Sequence, residues 1–174
     1  MAPEVIGFTI RNLPAILLVA ALVAAAIRRG REPAVGRLLS WVLLLPIGVT
    51  GLWAGISHVC FPDIAAAHIG WRVSPFQFEV GVADLAIGVT ACLAFRRALA
   101  FQAAALSAAS IFLLGDAVGH VRQMIVAGNF APGNAGVPFY MDVIAPVLGL
   151  TLLTLAHRGR THTAVPASAG HRFA

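Results

Sequence analysis

The chain contains no lysine. All twelve basic residues are arginine, set against seven acids, and charged residues fill only 11% of the 174 positions. A soluble domain carries about a quarter of its residues as charge, so a water-soluble globule is excluded. Cysteine is scarce too. Cys60 and Cys92 fall near opposite ends of adjacent apolar spans, and a disulfide needs Cα atoms about 4.4–6.8 Å apart. Both thiols are expected to stay free. Several motifs are also missing: Walker A, GxGxxG ahead of a helix, GxSxG, CxxC and CxxCH. Their absence removes most nucleotide enzymes, serine hydrolases, thiol–disulfide enzymes and c-type cytochromes. There is no internal repeat and no heptad pattern.

What is present is apolar. Hydrophobic residues make up 59% of the chain, and mean hydropathy is +0.88. The apolar runs reach the roughly 20 residues that a helix needs to cross a bilayer. The fold class is therefore all-α integral membrane: five transmembrane helices in one bundle. A single domain is expected over 1–157, with a disordered polar tail over 158–174. The spans read as about 5 (or 13) to 27, 38–57, 75–95, 99–126 and 138–156. A short helix over 62–69 opens at Pro62, closes before Gly70 and lies along the interface, with Trp71 as its anchor. "SPFQ" at 74–77 reads as a capping box, in which Ser74 caps the helix and Gln77 reaches back. "NFAPGNAGVPFYMD" at 129–142 is a turn-rich loop from which Pro138 restarts a helix.

Arginine placement orients the bundle. Nine of the twelve (Arg28, Arg29, Arg31, Arg37, Arg96, Arg97, Arg158, Arg160 and Arg172) fall on one side, and Arg11, Arg72 and Arg122 on the other. The positive-inside rule then places the N-terminus outside and the C-terminus in the cytoplasm, in the inner (plasma) membrane. The arginines form no single basic stripe, so a pI near 11.0 points to the lipid bilayer as partner and not to nucleic acid.

The acids ask for an explanation. Of the seven, only Glu32 falls on the cytoplasmic side. Glu79 sits about one turn below the outer surface, Asp84 roughly 13 Å deep and Asp116 roughly 15 Å deep, near the bilayer centre. An ionised side chain there costs at least about 2.5–3.5 kcal/mol. Such an acid must meet a partner, a cavity or a ligand, or hold a proton. "GDAVGH" at 115–120 puts Asp116 and His120 on one helix face. Gln123 continues that face and Arg122 points off it. His58 closes the second span on the outer side, and Asp142 opens the fifth there. His58, Glu79, Asp84, Asp116, His120 and Gln123 are therefore candidates for ligand binding or a proton relay.

Within that set, His58, Glu79, Asp116 and His120 carry donor types that suit iron or zinc. The Glu-x-x-His of di-iron bundles is missing, and Glu79 and Asp84, five apart, point roughly 140° apart. A plainer reading pairs Asp116 with His120 or Arg122, and Glu79 with His58 or a backbone N–H. Such contacts only hold helices in register, at roughly 0.6 kcal/mol each. His68, beside Asp63 on the short helix, is expected to be solvated. His157, His162 and His171 belong to the tail. Gly115 and Gly119 form a G-x-x-x-G that suits close approach by a second copy or a partner helix. Gly48, Gly51 and Gly55 offer similar spacing on the second span, and Gly81 and Gly88 on the third.

"GLWAGISHVCFPDIAAAHIGW", "SPFQFEVGVADLAIGV", "GDAVGH" and "NFAPGNAGVPF" resemble a family of small prokaryotic membrane proteins catalogued as a domain of unknown function. The family pattern is matched at His58 to Asp63, Ile69 to Trp71, Ser74 to Gly81, Gly115 to His120 and Asn129 to Asn134, over about 38–150. Asp84 departs from it, because the family more often has Asn there. The layout is also similar to the small four-helix membrane proteins grouped with DoxX, some of which serve redox complexes. The resemblance implies a helical bundle and supplies no activity.

Three functions fit these residues. The first is a small ligand or metal cofactor held in a polar pocket of the outer half, closed by the 129–137 loop, with a redox link through a metal or a quinone. The second is a proton-coupled transporter or channel built as an oligomer. Five helices without an inverted repeat suit that poorly, as does an inner half almost without polar residues. The third is a non-catalytic subunit or assembly factor that meets its partner through Gly115 and Gly119.

Overall fold

A backbone withdrawn from water must satisfy its own N–H and C=O groups, and a helix does so within a single segment. The computed structural model, which describes residues 2–28 and 32–163, contains no strand among the described residues. Helix α1 (Ala2–Ile27) is followed by α2 (Ala34–Val42). This helix runs through a π-helical stretch (Leu43–Val49) into α3 (Thr50–Cys60). Then come α4 (Pro62–Ile69), α5 (Pro75–Leu93), α6 (Leu99–Ala127), α7 (Pro132–Ala135) and α8 (Val137–Thr163). Among the described residues five helices are long and apolar enough to cross a membrane: α1, the continuous α2–α3 unit, α5, α6 and α8.

The "RNLP" stretch lies inside α1, with Pro14 buried. The second span is longer at both ends than composition indicated. Helix α8 runs on to Thr163, so residues 158–163, expected in the tail, are helical. Residues 164–174, with His171 and Arg172, lie outside the described residues, as do Arg29 and Arg31.

The π-helical stretch has a physical cause. Pro46 has no N–H, and its ring collides with the carbonyl four residues earlier in a regular helix. Widening the turn to an i→i+5 pattern relieves this, and the Thr50 N–H accordingly bonds Leu45 O. The Cys92 thiol, from α5, points at Leu44 O across 3.9 Å. Cys60 and Cys92 are both free thiols.

Connectivity defines two ends. One, the α4 end, gathers the end of α3, all of α4 and α7, and the starts of α5 and α8. The other carries Arg28, Arg37, Arg96, Arg97, Arg158 and Arg160. Between them α3 and the π-helical turn lie against α5 along glycine. A Cβ added to Gly55 would stand 2.7 Å from Gly81 O, and one on Gly88 would stand 2.6 Å from Leu52 N. Gly81 in turn touches the His58 side chain, so this seam also sets where His58 stands. By contrast, nothing lies within 4 Å of a Cβ built on Gly115 or Gly119. The glycines of the second and third spans pack inside the molecule, while the G-x-x-x-G of α6 faces outward.

The core cluster gathers largely toward the arginine end, around Leu39, Val42, Leu43, Leu99, Leu106 and Leu152. One polar clasp crosses it. Gln102 Nε2 donates to Ser40 Oγ (3.0 Å) and to Ala94 O (3.2 Å), with both side chains buried. At the rim, Trp41 meets Phe95 edge to face, and Arg28 lies over the Trp41 ring.

Candidate functional site

The polar groups of the α4 end are held by three short stretches around α4 and α7. Helix α4 stops at Gly70, whose φ of 76° is left-handed. A Cβ there would also collide with Asn129 Oδ1 at 2.7 Å, so the position demands glycine on two counts. Helix α6 stops in the same manner at Gly128. The next residue, Asn129, donates from Nδ2 to Ile69 O (2.9 Å) and Gly70 O (3.3 Å), while its Oδ1 accepts the Ala131 N–H (3.0 Å). The loop after α6 is thereby tied to the end of α4. The expected capping box at Ser74 does not form. Ser74 is the N-cap but makes no side-chain cap bond, and Gln77 Nε2 donates instead to Pro62 O at 2.9 Å. Gln77 found a carbonyl on the neighbouring helix, a partner that local spacing cannot reveal.

Helix α7 exists to place Asn134, which is 0% exposed. Its Nδ2 donates to His120 O (3.2 Å) and Asn129 O (2.9 Å). Its Oδ1 accepts Trp71 Nε1–H (3.2 Å) and faces His120 Nδ1 at 2.9 Å. Two carbonyl acceptors on one side and an indole donor on the other fix which end of the amide is which. Oδ1 is therefore an acceptor, and His120 carries a proton on Nδ1. Its other nitrogen, Nε2, lies 3.4 Å from Asp142 Oδ2, on the first turns of α8. That contact is attractive only with a proton on one partner, as imidazolium against carboxylate or as neutral imidazole against carboxylic acid. Trp71 leans on the imidazole (centroids 5.9 Å apart, tilted 42°), and Phe139 covers another side.

Below this pair the acids run deeper. Asp116 stands one turn earlier on α6, half-buried, and Asp84 is 8% exposed on α5. Asp84, Asp116 and Asp142 lie within reach of one another's charge. Neither Asp84 nor Asp116 makes a side-chain hydrogen bond or ion pair among the described residues, so the pairing considered for Asp116 with His120 or Arg122 does not form. His120 pairs with Asp142 instead. Three carboxylates that feel one another's charge, two of them without a hydrogen-bond donor among the described residues, are costly in a low-dielectric setting unless a proton or a ligand joins them.

His58 stands apart from this group, half-buried, with Nδ1 enclosed and without a hydrogen-bond partner. It lines a cavity of about 90 Å³ with Trp71, Arg72, Ser74 and Gln77, room for roughly three water-sized groups. Trp71 belongs to both places: its ring walls the His58 cavity and also stacks on His120. Glu79 is exposed on α5. The Gln123 side chain is half-buried and makes no hydrogen bond among the described residues, while its carbonyl accepts the Asn129 N–H at 3.2 Å. Among the described residues no three His, Cys, Asp or Glu side chains come together as a metal-holding group. His58, Glu79, Asp116 and His120 are thus not gathered as a donor set for iron or zinc.

His68, expected to be solvated, is half-buried against α7, where a Cβ on Gly133 would stand 2.7 Å from its ring. Burial first, and the positive charge of Arg11 second, hold its imidazole below the usual histidine range. Composition missed Asn129 and Asn134, which looked like turn residues, and read Trp71 as a lipid anchor. Their signal was present: two Asn in a short Gly/Pro-rich loop are what a backbone-tying latch requires. The chain matches no curated protein and no solved structure. Residues 11–162 match the model of a family described as being of unknown function, DUF6790, and to that family the chain belongs.

Proposed function

We propose that the protein binds a small organic ligand within the α4-end half of its bundle. There the acid–imidazole column hydrogen-bonds the ligand and passes protons between it and the adjacent membrane face. One observation carries this reading: His120 is clamped between Asn134 and Asp142, and two acids deeper in the bundle, Asp116 and Asp84, have no hydrogen-bond donor among the described residues. A network meant only to fix helix register has no use for unpaired acids at that depth. A carrier that takes up protons on reduction, such as a quinone, is the ligand class that would use the column most fully. On this reading the arginine end faces the cytoplasm of the plasma membrane and the column opens outside.

A transmembrane proton path has less support. Toward the arginine end the buried core is largely apolar, and among the described residues the Gln102–Ser40 clasp is its buried side-chain link, so the acids of the α4 end have few polar groups to continue them across the bundle. A role as a subunit is favoured by one feature, the uncovered Gly115–Gly119 face. Efficient disulfide crosslinking of a Gly119→Cys variant in membranes would support self-association there.

The decisive experiment is solvent extraction and mass spectrometry of detergent-purified protein, with elemental analysis of the same sample. Wild type should carry a bound molecule that Asp116→Asn and His120→Gln lose while remaining folded. Stoichiometric iron or zinc would restore the metal version instead. Equal extracts from all three proteins would leave the column a purely structural network.

A further inference from the structure

The cavity lined by His58 is separate from the acid column, and its lining is of two kinds. Ala66 and Ile69 of α4 and Val80 of α5 give it an apolar wall. Arg72 and Ser74, in the chain before α5, and His58, near the end of α3, give it polar groups. Those groups are uncommitted. Arg72 forms no ion pair or hydrogen bond among the described residues. Ser74 makes no side-chain cap bond, and His58 Nδ1 is enclosed without a partner. Gln77, which also faces the cavity, directs its Nε2–H at Pro62 O, so its Oε1 remains an acceptor. No acid is part of the lining. Depth orders these groups. A Cβ on Gly81 would stand 2.9 Å from His58 Cβ, and Gly81 lies seven residues beyond Ser74, roughly 10 Å along α5. Arg72 is exposed and His58 half-buried, so the cavity has a cationic mouth and an imidazole toward its floor.

We infer that this cavity binds a short hydroxy acid, with its carboxylate at Arg72 and Ser74 and its hydroxyl at His58. The assignment rests on complementarity. A guanidinium with no acid beside it matches a carboxylate through two parallel hydrogen bonds. A buried polar atom without a protein partner calls for one from a ligand. A hydroxyl both donates and accepts, so it suits His58 Nδ1 in either tautomer, whereas a second carboxylate would meet the lone pairs of Gln77 Oε1. The cavity, at about 90 Å³, has room for roughly three water-sized groups. That is a carboxylate, a hydroxyl-bearing carbon and a methyl group. Inorganic phosphate would leave the apolar wall unused, and an uncharged diol would leave the guanidinium unused. The site requires nothing bound at the acid column.

The test uses the full chain in a non-ionic detergent, with sodium lactate as probe and isothermal titration calorimetry as readout. Lactate should bind at one site per chain. It should bind at least about five-fold tighter than propionate, which lacks the hydroxyl, or propane-1,2-diol, which lacks the charge. Arg72→Gln should weaken lactate at least about ten-fold, and His58→Phe should abolish the preference for lactate over propionate. Arg122→Gln removes an exposed cation of α6 outside the cavity and should change neither. The proposal is overturned if wild type shows no saturable lactate binding, or if propionate or the diol binds as tightly. It is also overturned if inorganic phosphate competes as well as lactate, or if Arg122→Gln is as impaired as Arg72→Gln. His58 packs against Gly81, so its replacement bears on the α3–α5 seam as well; Arg72 is exposed, and its variant tests the site without that complication. Thermal unfolding of each variant without lactate separates a lost site from a lost fold.

Discussion

Helix α6 changes character halfway along. Up to Ser110 it buries Leu99, Gln102, Ala105, Leu106, Ala109 and Ser110; beyond that point only Ala117 and His120 are buried. The first half is a packing element, tied by Gln102 to Ser40 Oγ and Ala94 O, with the Ser110 hydroxyl buried without a hydrogen-bond partner. The second half is loosely covered and carries Asp116, His120 and Gln123. It is held at His120 by Asn134 of α7 and Asp142 of α8, with the Trp71 and Phe139 rings against the imidazole. One half supplies packing and the other supplies polar chemistry, so that a polar site is anchored on a well-packed base.

The largest effect should come from the packed half. Leu106 is fully buried against Gly149, and Leu106→Ala should lower stability by about 3 kcal/mol while leaving any bound ligand in place. Chemical unfolding in detergent measures the first and mass spectrometry the second. Asn134→Ala comes next, at about 2–3 kcal/mol, because two carbonyls, an indole N–H and an imidazole lose a buried partner together. Unlike Leu106→Ala, it should also change Trp71 emission and release the ligand. If Leu106→Ala empties the site as fully as Asn134→Ala, the two halves are not separable.

Gln102→Leu is a smaller probe. Ser40 Oγ keeps its own bond to Gly36 O (3.1 Å), so the loss should be about 1 kcal/mol, with no effect on the α4 end. The smallest effect is a pH slope. His68 holds its proton less readily folded than unfolded, so the unfolded chain takes up the proton first as pH falls. Stability is full above the usual histidine pKa and declines as pH drops through about 6.5 and below. His68→Gln should flatten that decline in a series of unfolding curves. An unchanged slope would place the acid sensitivity elsewhere.

Much of this architecture is legible from composition. Helices that must be apolar for about 20 residues announce themselves, and Pro62 with Gly70 bracketed α4 to the residue. The glycines show where such reading stops. Gly51 and Gly55 have the same spacing as Gly115 and Gly119, yet only the first pair meets another helix. Spacing says that a face is smooth and not what lies against it. The site was half legible. Depth alone marked Asp84, Asp116 and His120, since acids within apolar runs need a reason. Asp142 was placed on the right face without being read as the imidazole's partner. Asn134 escaped because its value comes from contacts spread over residues 71, 120 and 129, which no local pattern encodes.

The Asn134 latch also imposes an order on biosynthesis. It joins Trp71 to a residue 63 positions later, and Asp142 follows later still. At about 5–20 residues per second, the ribosome needs roughly 3–13 s to go from the indole to its amide. During that interval α5 and α6 leave the ribosome with Asp84 and Asp116 already aboard, while the clamp on His120 cannot yet exist. The clamp on His120 therefore cannot close before the fifth long helix has begun, and its completion is a record that the first four have been delivered.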